Sequence, residues 1–296
     1  MRMLKKMTFL PPKIFIPNMY EYYTGKKLNL NKPIEFNQKI QWYKVYFRVK
    51  LLNRLVDKYT VKEYVKEKIG SQYLNETLGV FEKVNQINFE KLPSQFVIKG
   101  VHASSYNIIV TDKESLNLRR TKKTLRKWLR TNQYYRTGQE WAYKDVKPKL
   151  LVENFINQKG RNSLSDYKFH CFSGKAKFVE VHLDRFSNYK CSLYDLNFNK
   201  LSLTDVSMVH MRITEDIKKP DNFEEMIELS EKLADNLPYV RVDLYSVEGK
   251  SIFGEMTFYP TDGRKDWVPE EFNKTLGDYF ELPKIPNGKK YITQYP

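Results

Sequence analysis

The chain has 296 residues, 41% of them hydrophobic, which suffices for a folded core and excludes wholesale disorder. Its net charge of +16 attracts anions without choosing among nucleotides, nucleic acid, acidic polymers and an acidic membrane face. The two cysteines, Cys171 and Cys191, exclude a disulfide framework and a cysteine-built zinc site.

The opening MRMLKKMTFLPPKIFI is basic and briefly apolar, but Pro11 and Pro12 interrupt it. No secretory core and no run long enough to span a bilayer is visible, so the expected location is the cytoplasm. Residues 1–53 read as a basic, mostly helical region with turns at Gly25–Lys26 and Asn31–Pro33. From 54 to 69, Leu55, Tyr59, Val61, Tyr64, Val65 and Ile69 fall on one stripe, predicting a single helix that Gly70 ends. Two short β-type runs follow, FVIK at 96–99 and NIIV at 107–110, around the small polar loop GVHASSY. Residues 114–131 predict a helix with Leu118, Leu125, Trp128 and Leu129 inward and seven lysines and arginines outward. LLVENFI at 150–156 reads as a strand. The segment 167–185 reads as a hairpin around Ser173–Gly174. An amphipathic helix over 222–237 stops at Pro238, and a second hairpin turns at Glu248–Gly249. Strand pairs with intervening helices indicate α+β, in two lobes.

The last hairpin carries the chemistry. Arg241 and Asp243 are two apart and share a strand face, as do Glu255 and Thr257. Closing at Glu248–Gly249 brings Asp243 near Glu255. Two carboxylates and a hydroxyl are hard oxygen donors suited to Mg²⁺, with Arg241 placed to meet a transferring phosphate. A solvent-facing charge pair on an ordinary hairpin gives the same spacing. Lys99 ends an apolar strand at a small-residue loop, where a lysine and loop amides can surround a phosphate. Lys58 sits on the predicted helix, and Glu153 follows the buried-looking run LLV.

The ordered segments TGKKLNLNKPIEFNQKIQWYKVY, DKYTVKEYV, LPSQFVIK, HASSYNIIV, LLVENFI, DYKFHCFSGK, HLDR, VRVDLY and FGEMTFYP resemble the TupA-like ATP-grasp family, over roughly residues 24–280. That family is associated with teichuronopeptide synthesis and cell-surface polysaccharide. The resemblance implies an ATP-grasp fold, two α+β lobes clamping ATP: a small lobe over 54–150 and a large lobe with the metal-binding hairpin over 151–296. It implies phosphate contacts from Lys58 and Lys99, and a loop of His102, Ala103, Ser104 and Ser105 over the phosphates. Leu151, Val152 and Glu153 would meet adenine through backbone groups, and Asp166 the ribose. Lys168 and Arg185 would contact substrate or phosphate, Arg241 would stabilise an acyl-phosphate, and Asp243, Glu255 and Thr257 would hold Mg²⁺. Thr257 stands where ATP-grasp sites usually carry asparagine, and Ala103 and Ser105 where many relatives have glycine.

The implied activity is an ATP- and Mg²⁺-dependent ligase joining a carboxylate, on a uronic acid or acidic peptide, to an amine in polysaccharide or capsule synthesis. A basic face could receive an anionic polysaccharide or the inner membrane surface. The rival readings are a glycosyltransferase, for which the Asp-x-Asp triplet is missing, and a nucleic-acid binder, for which no known motif is found. Walker A, Gly-x-Gly-x-x-Gly, Gly-x-Ser-x-Gly and His-Glu-x-x-His patterns are absent from the sequence.

Overall fold

A computed structural model describes residues 8–157, 164–185 and 187–295. The basic opening at 1–7 lies outside them. In chain order the helices are α1 (Pro12–Thr24), α2 (Phe36–Tyr46), α3 (Leu51–Val56), α4 (Val61–Lys68), α5 (Leu118–Leu129), α6 (Gln133–Arg136), α7 (Phe223–Ala234) and α8 (Glu271–Tyr279). The strands are β1 (Thr77–Phe81), β2 (Phe96–Gly100), β3 (Asn107–Val110), β4 (Leu150–Asn154), β5 (Asp166–Phe172), β6 (Lys175–Leu183), β7 (Lys190–Tyr194), β8 (Thr204–Asp205), β9 (Tyr239–Val247), β10 (Lys250–Thr257) and β11 (Trp267–Val268).

Two antiparallel sheets organise the chain. The smaller has the order β1-β4-β2-β3 and the larger β10-β9-β5-β6-β7. The smaller sheet shares one apolar cluster with α5 and the segment from Val84 to Leu92. The larger sheet, α7, α8 and helices α1 to α4 share the other. Residues 61–65, read in sequence with the small lobe, therefore pack into the larger cluster. Residues 150 and 152, at the expected lobe boundary, belong to the smaller one through β4.

The larger sheet sorts its side chains by parity. Tyr167, Phe169, Val179, Val181, Val240, Val242 and Leu244 are buried apolar residues on alternate positions. This is the face toward α7. Phe169 touches the Phe223 ring, and the Cys171 thiol donates to the Ser230 carbonyl. Phe223, Met226, Leu229 and Leu233 supply the buried stripe of that helix. Each such side chain contributes about 1.5–3 kcal/mol by leaving water. The intervening positions put Asp166, Lys168, His170, Glu180, His182, Arg241, Asp243, Glu255 and Thr257 together on the opposite face.

One predicted helix is broken. Instead of a continuous run over 54–69, α3 ends at Val56 and α4 begins at Val61. The Asp57 carboxylate accepts from the backbone N–H of Tyr59 (2.8 Å) and Thr60 (3.1 Å), capping the second helix and stopping the first. Among the described residues no helix is long and apolar enough to cross a membrane.

Candidate active site

The hairpin of β9 and β10 pairs Asp243 with Glu255 and Arg241 with Thr257. A register shift between Phe253 and Glu255 falls at Gly254, where a Cβ would sit 2.9 Å from the Asp243 carbonyl oxygen. Glycine lets the two backbones approach there, and the bulge aims Glu255 out of the plain ladder.

Asp243 is 1% exposed and sits between two cations. Arg241 Nε and Nη2 donate to its two oxygens at 2.7 and 2.8 Å, and Lys168 Nζ also donates to it. Arg241 Nη2 reaches Thr257 Oγ1 at 3.2 Å and lies 3.8 Å from Glu255. Lys168 is 2.7 Å from Asp166, and Arg185 is 3.7 Å from the same oxygen. The other Asp166 oxygen is buried with no hydrogen-bond partner among the described residues. Burial raises the Asp166 carboxyl, but Lys168 and Arg185 overcome it and hold the group below its ordinary value. Burial likewise pulls Glu255 up, while Lys58, Lys168 and Arg241 hold it down at about 2. Its side chain is still 38% exposed, which leaves it open to a ligand.

Lys58 joins the two sheets. It sits in the break between α3 and α4, held by its own N–H to the Val101 carbonyl. Its Nζ donates to the Ala103 carbonyl at 2.9 Å and lies 3.5 Å from Glu255. The loop after β2 thus hangs over the carboxylates of β10, with one lysine bridging them.

Lys99 is elsewhere. Its Nζ is 2.6 Å from Glu153, which also meets Lys62 at 2.5 Å. Glu153 is 3% exposed, and burial is outweighed by the two lysines, so its pKa falls. Sequence reasoning named no partner for this carboxylate and did not single out Lys62. The spacing of Lys58 and Lys62, one helical turn apart, was the available signal, but the Asp57 break separates their roles. Leu151, Val152 and Glu153 lie in β4 with neighbours β1 and β2 on both sides, so their backbone groups are engaged in the sheet. The strand ends at Asn154, so backbone open to a base lies past it rather than at 151–153.

His102 also departs from expectation. It is 1% exposed, Nε2–H donates to the Trp128 carbonyl at 3.0 Å, and burial lowers its pKa. It pins the loop to α5 from beneath. Ser104 accepts from Gln133 at 3.2 Å, and Ser105 has φ 61°, the left-handed region that glycine would enter freely. Both serines are exposed.

A second polar chain on the same face was not visible in sequence. Glu180 accepts from His170 Nε2 (3.0 Å), His182 Nε2 (3.2 Å) and Lys265. The remaining ring nitrogens accept from Tyr239 OH (3.0 Å) and Tyr189 OH (2.5 Å). Each histidine therefore carries one proton, and burial depresses both to about 4.

The fit to nucleotide and metal can be judged from these contacts. Lys58, Lys168, Arg185 and Arg241 converge on one face, as phosphates require. The unpartnered Asp166 oxygen suits a hydroxyl donor. Asp243, Glu255 and Thr257 are the available oxygen donors for a divalent cation. Among the described residues no group of three or more His, Cys, Asp or Glu could hold a metal alone, so phosphate oxygens and water would complete the shell.

The profile of a family described as TupA-like ATPgrasp matches residues 38–281. The chain belongs to that family. TupA-like ATP-grasp membership makes this α+β architecture an ATP-grasp fold. Structures of D-alanine–D-alanine ligase from Bacillus anthracis, complexed with ATP, and from Helicobacter pylori are similar to it at 16% and 15% identity, with TM-scores of 0.46 and 0.42. Those matches cover 82% and 86% of this chain and 70% and 68% of theirs. Phosphoribosylamine–glycine ligase from Thermotoga maritima matches at 13% identity and a TM-score of 0.42, over 72% of this TupA-like chain and 50% of its own. No curated protein matches.

Proposed function

We propose that this TupA-like protein is an ATP- and Mg²⁺-dependent ligase that joins a carboxylate to an amine. The carboxylate belongs to a uronic acid or acidic peptide, the amine to an amino acid, and the setting is cell-surface polysaccharide synthesis in the cytoplasm. The observation that carries the reading is the convergence of Lys58, Lys168 and Arg241 on Asp243, Glu255 and Thr257.

In this reading Asp243, Glu255 and Thr257 hold Mg²⁺, which would neutralise phosphate charge. Lys58, from the turn between α3 and α4, and Lys99, from β2 of the smaller sheet, bind phosphates, Asp166 orients the ribose, and residues past Asn154 meet adenine. The substrate carboxylate attacks the γ-phosphate, forming an acyl-phosphate and releasing ADP. The amine nitrogen then attacks the acyl carbon, the C–O bond to phosphate breaks, and the amine loses a proton. Arg241 and Lys168 spread the charge that builds on the transferring group, and positioning supplies most of the acceleration. His102 acts beneath the loop, holding its shape. Ser104 and Ser105 cover the phosphates, and Arg185, with Lys168, contacts substrate or phosphate.

The test is an ADP-release screen of uronic-acid and acidic-peptide acceptors against the amino acids. ADP formation that needs both a carboxylate and an amine supports the reading. Sugar transfer from a nucleotide donor with release of its nucleoside diphosphate, and no ADP formed from ATP, would instead favour a glycosyltransferase.

A further inference from the structure

Helix α5 carries Arg119, Arg120, Lys122, Lys123, Arg126, Lys127 and Arg130 on and just past its twelve residues, with no acid among them. Thr121, Leu125 and Trp128 are its buried positions, so the cations occupy the outer face. None of the seven makes an ion pair with a carboxylate among the described residues, whereas Lys58, Lys62, Lys99, Lys149 and Lys168 each do. Arg119, Lys123, Arg126 and Arg130 recur at intervals of four, three and four, which aligns them in one row along the helix. Two open hollows flank that row. One, of about 330 Å³, lies between Arg126, Leu129 and Arg130 and the segment 82–85. The other, of about 390 Å³, lies among Lys123, Arg126, Lys127, Arg130 and Thr131.

We propose that this face docks a linear acidic polysaccharide, the polymeric acceptor of the ligation. The acceptor's role rests on the reading above; the chemistry of the surface does not. Cations in a row, one helical turn apart, match an extended chain with one carboxylate on each sugar ring. The hollow among Lys123, Arg126, Lys127 and Arg130 is walled by cations and admits groups that project from such a chain; the other also carries Glu82, whose carboxylate is 3.4 Å from Lys149. A single-stranded nucleic acid needs aromatic platforms for its bases, and the aromatic residue of α5 is turned inward, stacked on Tyr106 with ring centroids 4.8 Å apart. A lipid surface held firmly needs apolar anchors beside the charges, and Leu118 is the one large apolar side chain of the helix that is exposed.

The position gives the dock a use. His102 donates to the Trp128 carbonyl, Tyr106 stacks on Trp128, and Gln133 donates to Ser104. The end of the cation row is thereby joined to the loop that hangs over Glu255. A polymer lying along α5 is held on the element that borders the phosphate loop.

The experiment compares wild-type protein with R119E/K123E/R126E/R130E and with a control of equal charge change, K27E/K32E/K284E/K290E. Binding of each to polygalacturonate is measured by calorimetry at low and physiological salt, alongside anionic vesicles and single-stranded DNA. The row variant is expected to bind polygalacturonate at least about tenfold more weakly, the sum of four exposed ion pairs, and the control within about twofold of wild type. If the four reversals impair folding, Arg126→Ala with Arg130→Ala gives the same direction at smaller size. Equal loss in row and control variants, or unchanged binding in the row variant, overturns the assignment. So does tighter wild-type binding to vesicles or DNA than to the polymer. An ATP-dependent thermal shift is read on the same samples. Its absence from wild type removes the nucleotide reading and leaves the dock standing, while its presence without polymer binding removes the dock alone.

Discussion

Glu255 keeps its charge because Lys58, Lys168 and Arg241 all compete for it, and it remains the exposed member of the carboxylate pair. Glu255→Gln retains shape and removes the charge that would attract Mg²⁺. Turnover of ATP in the ligation should fall by about a hundredfold or more, with the unfolding midpoint nearly unchanged, since an exposed pair stabilises by about 1 kcal/mol at most. Glu153 behaves differently. It is buried between Lys62 and Lys99, so Glu153→Gln leaves two cations facing each other without a counter-ion. Loss of stability of about 3 kcal/mol in denaturant unfolding is expected, together with a raised KM for ATP as Lys99 loses its anchor. A stable Glu153→Gln protein with wild-type KM would contradict the anchoring role. The pairing of the hairpin residues was legible because it follows from a two-residue spacing that any strand imposes. Glu153 and Lys62 were not, because their partnership spans α4, β2 and β4, and no local pattern encodes it.

At the level of elements, the turn at Asp57 decides where Lys58 points. The apolar stripe over 54–69 is continuous, so periodicity alone predicts one helix. The competing signal is the aspartate side chain, which satisfies two backbone N–H groups and starts a new helix. Asp57→Ala should cost about 1 kcal/mol of stability and raise KM for ATP more than it lowers kcat, because Lys58 loses its fixed backbone. Equal kinetics with lowered stability would make the turn structural only. Gly254 is the matching device in the other sheet. Gly254→Ala pushes a methyl toward the Asp243 carbonyl and, at 3.2 Å, the Tyr245 ring. The bulge should open and separate Glu255 from Asp243, lowering activity far more than the melting temperature; unchanged turnover would show that the bulge does not set the pair. Sequence alone placed the hairpin turn at Glu248–Gly249; the signals for the bulge were Gly254 itself and the shift of the apolar phase from Phe253 to Met256 and Phe258, which were not read.

Across the whole molecule the buried ionisable groups oppose one another. His170 and His182 have values near 4 when folded against an ordinary 6.5, so between those limits only the unfolded chain takes up their protons, and acid favours unfolding. Glu140, buried beside Asp262, is raised to about 8 from 4.5, so between those limits the folded chain holds its proton, and alkali favours unfolding. Two protons outweigh one below pH 6.5, and Glu140 acts alone above it. Stability in urea should therefore peak near pH 6.5 and fall by about 1.4 kcal/mol per pH unit for each net proton on either side. A flat profile from pH 5 to 8 would mean that these groups are hydrated in solution. Packing of the long-range kind that buries them, with β5, β6 and the turn after β10 brought together, is what the sequence does not display. The central claim is that the face shared by β5, β9 and β10 meets Mg²⁺ and ATP together beneath the Lys58 loop. Thermal unfolding with ATP alone, Mg²⁺ alone and both tests it most directly. The account predicts a rise of several degrees with both, corresponding to about 2.7 kcal/mol at a hundredfold excess over Kd, and little with either alone or with both in Glu255→Gln. No shift of the wild-type protein at millimolar ATP and Mg²⁺ would contradict it.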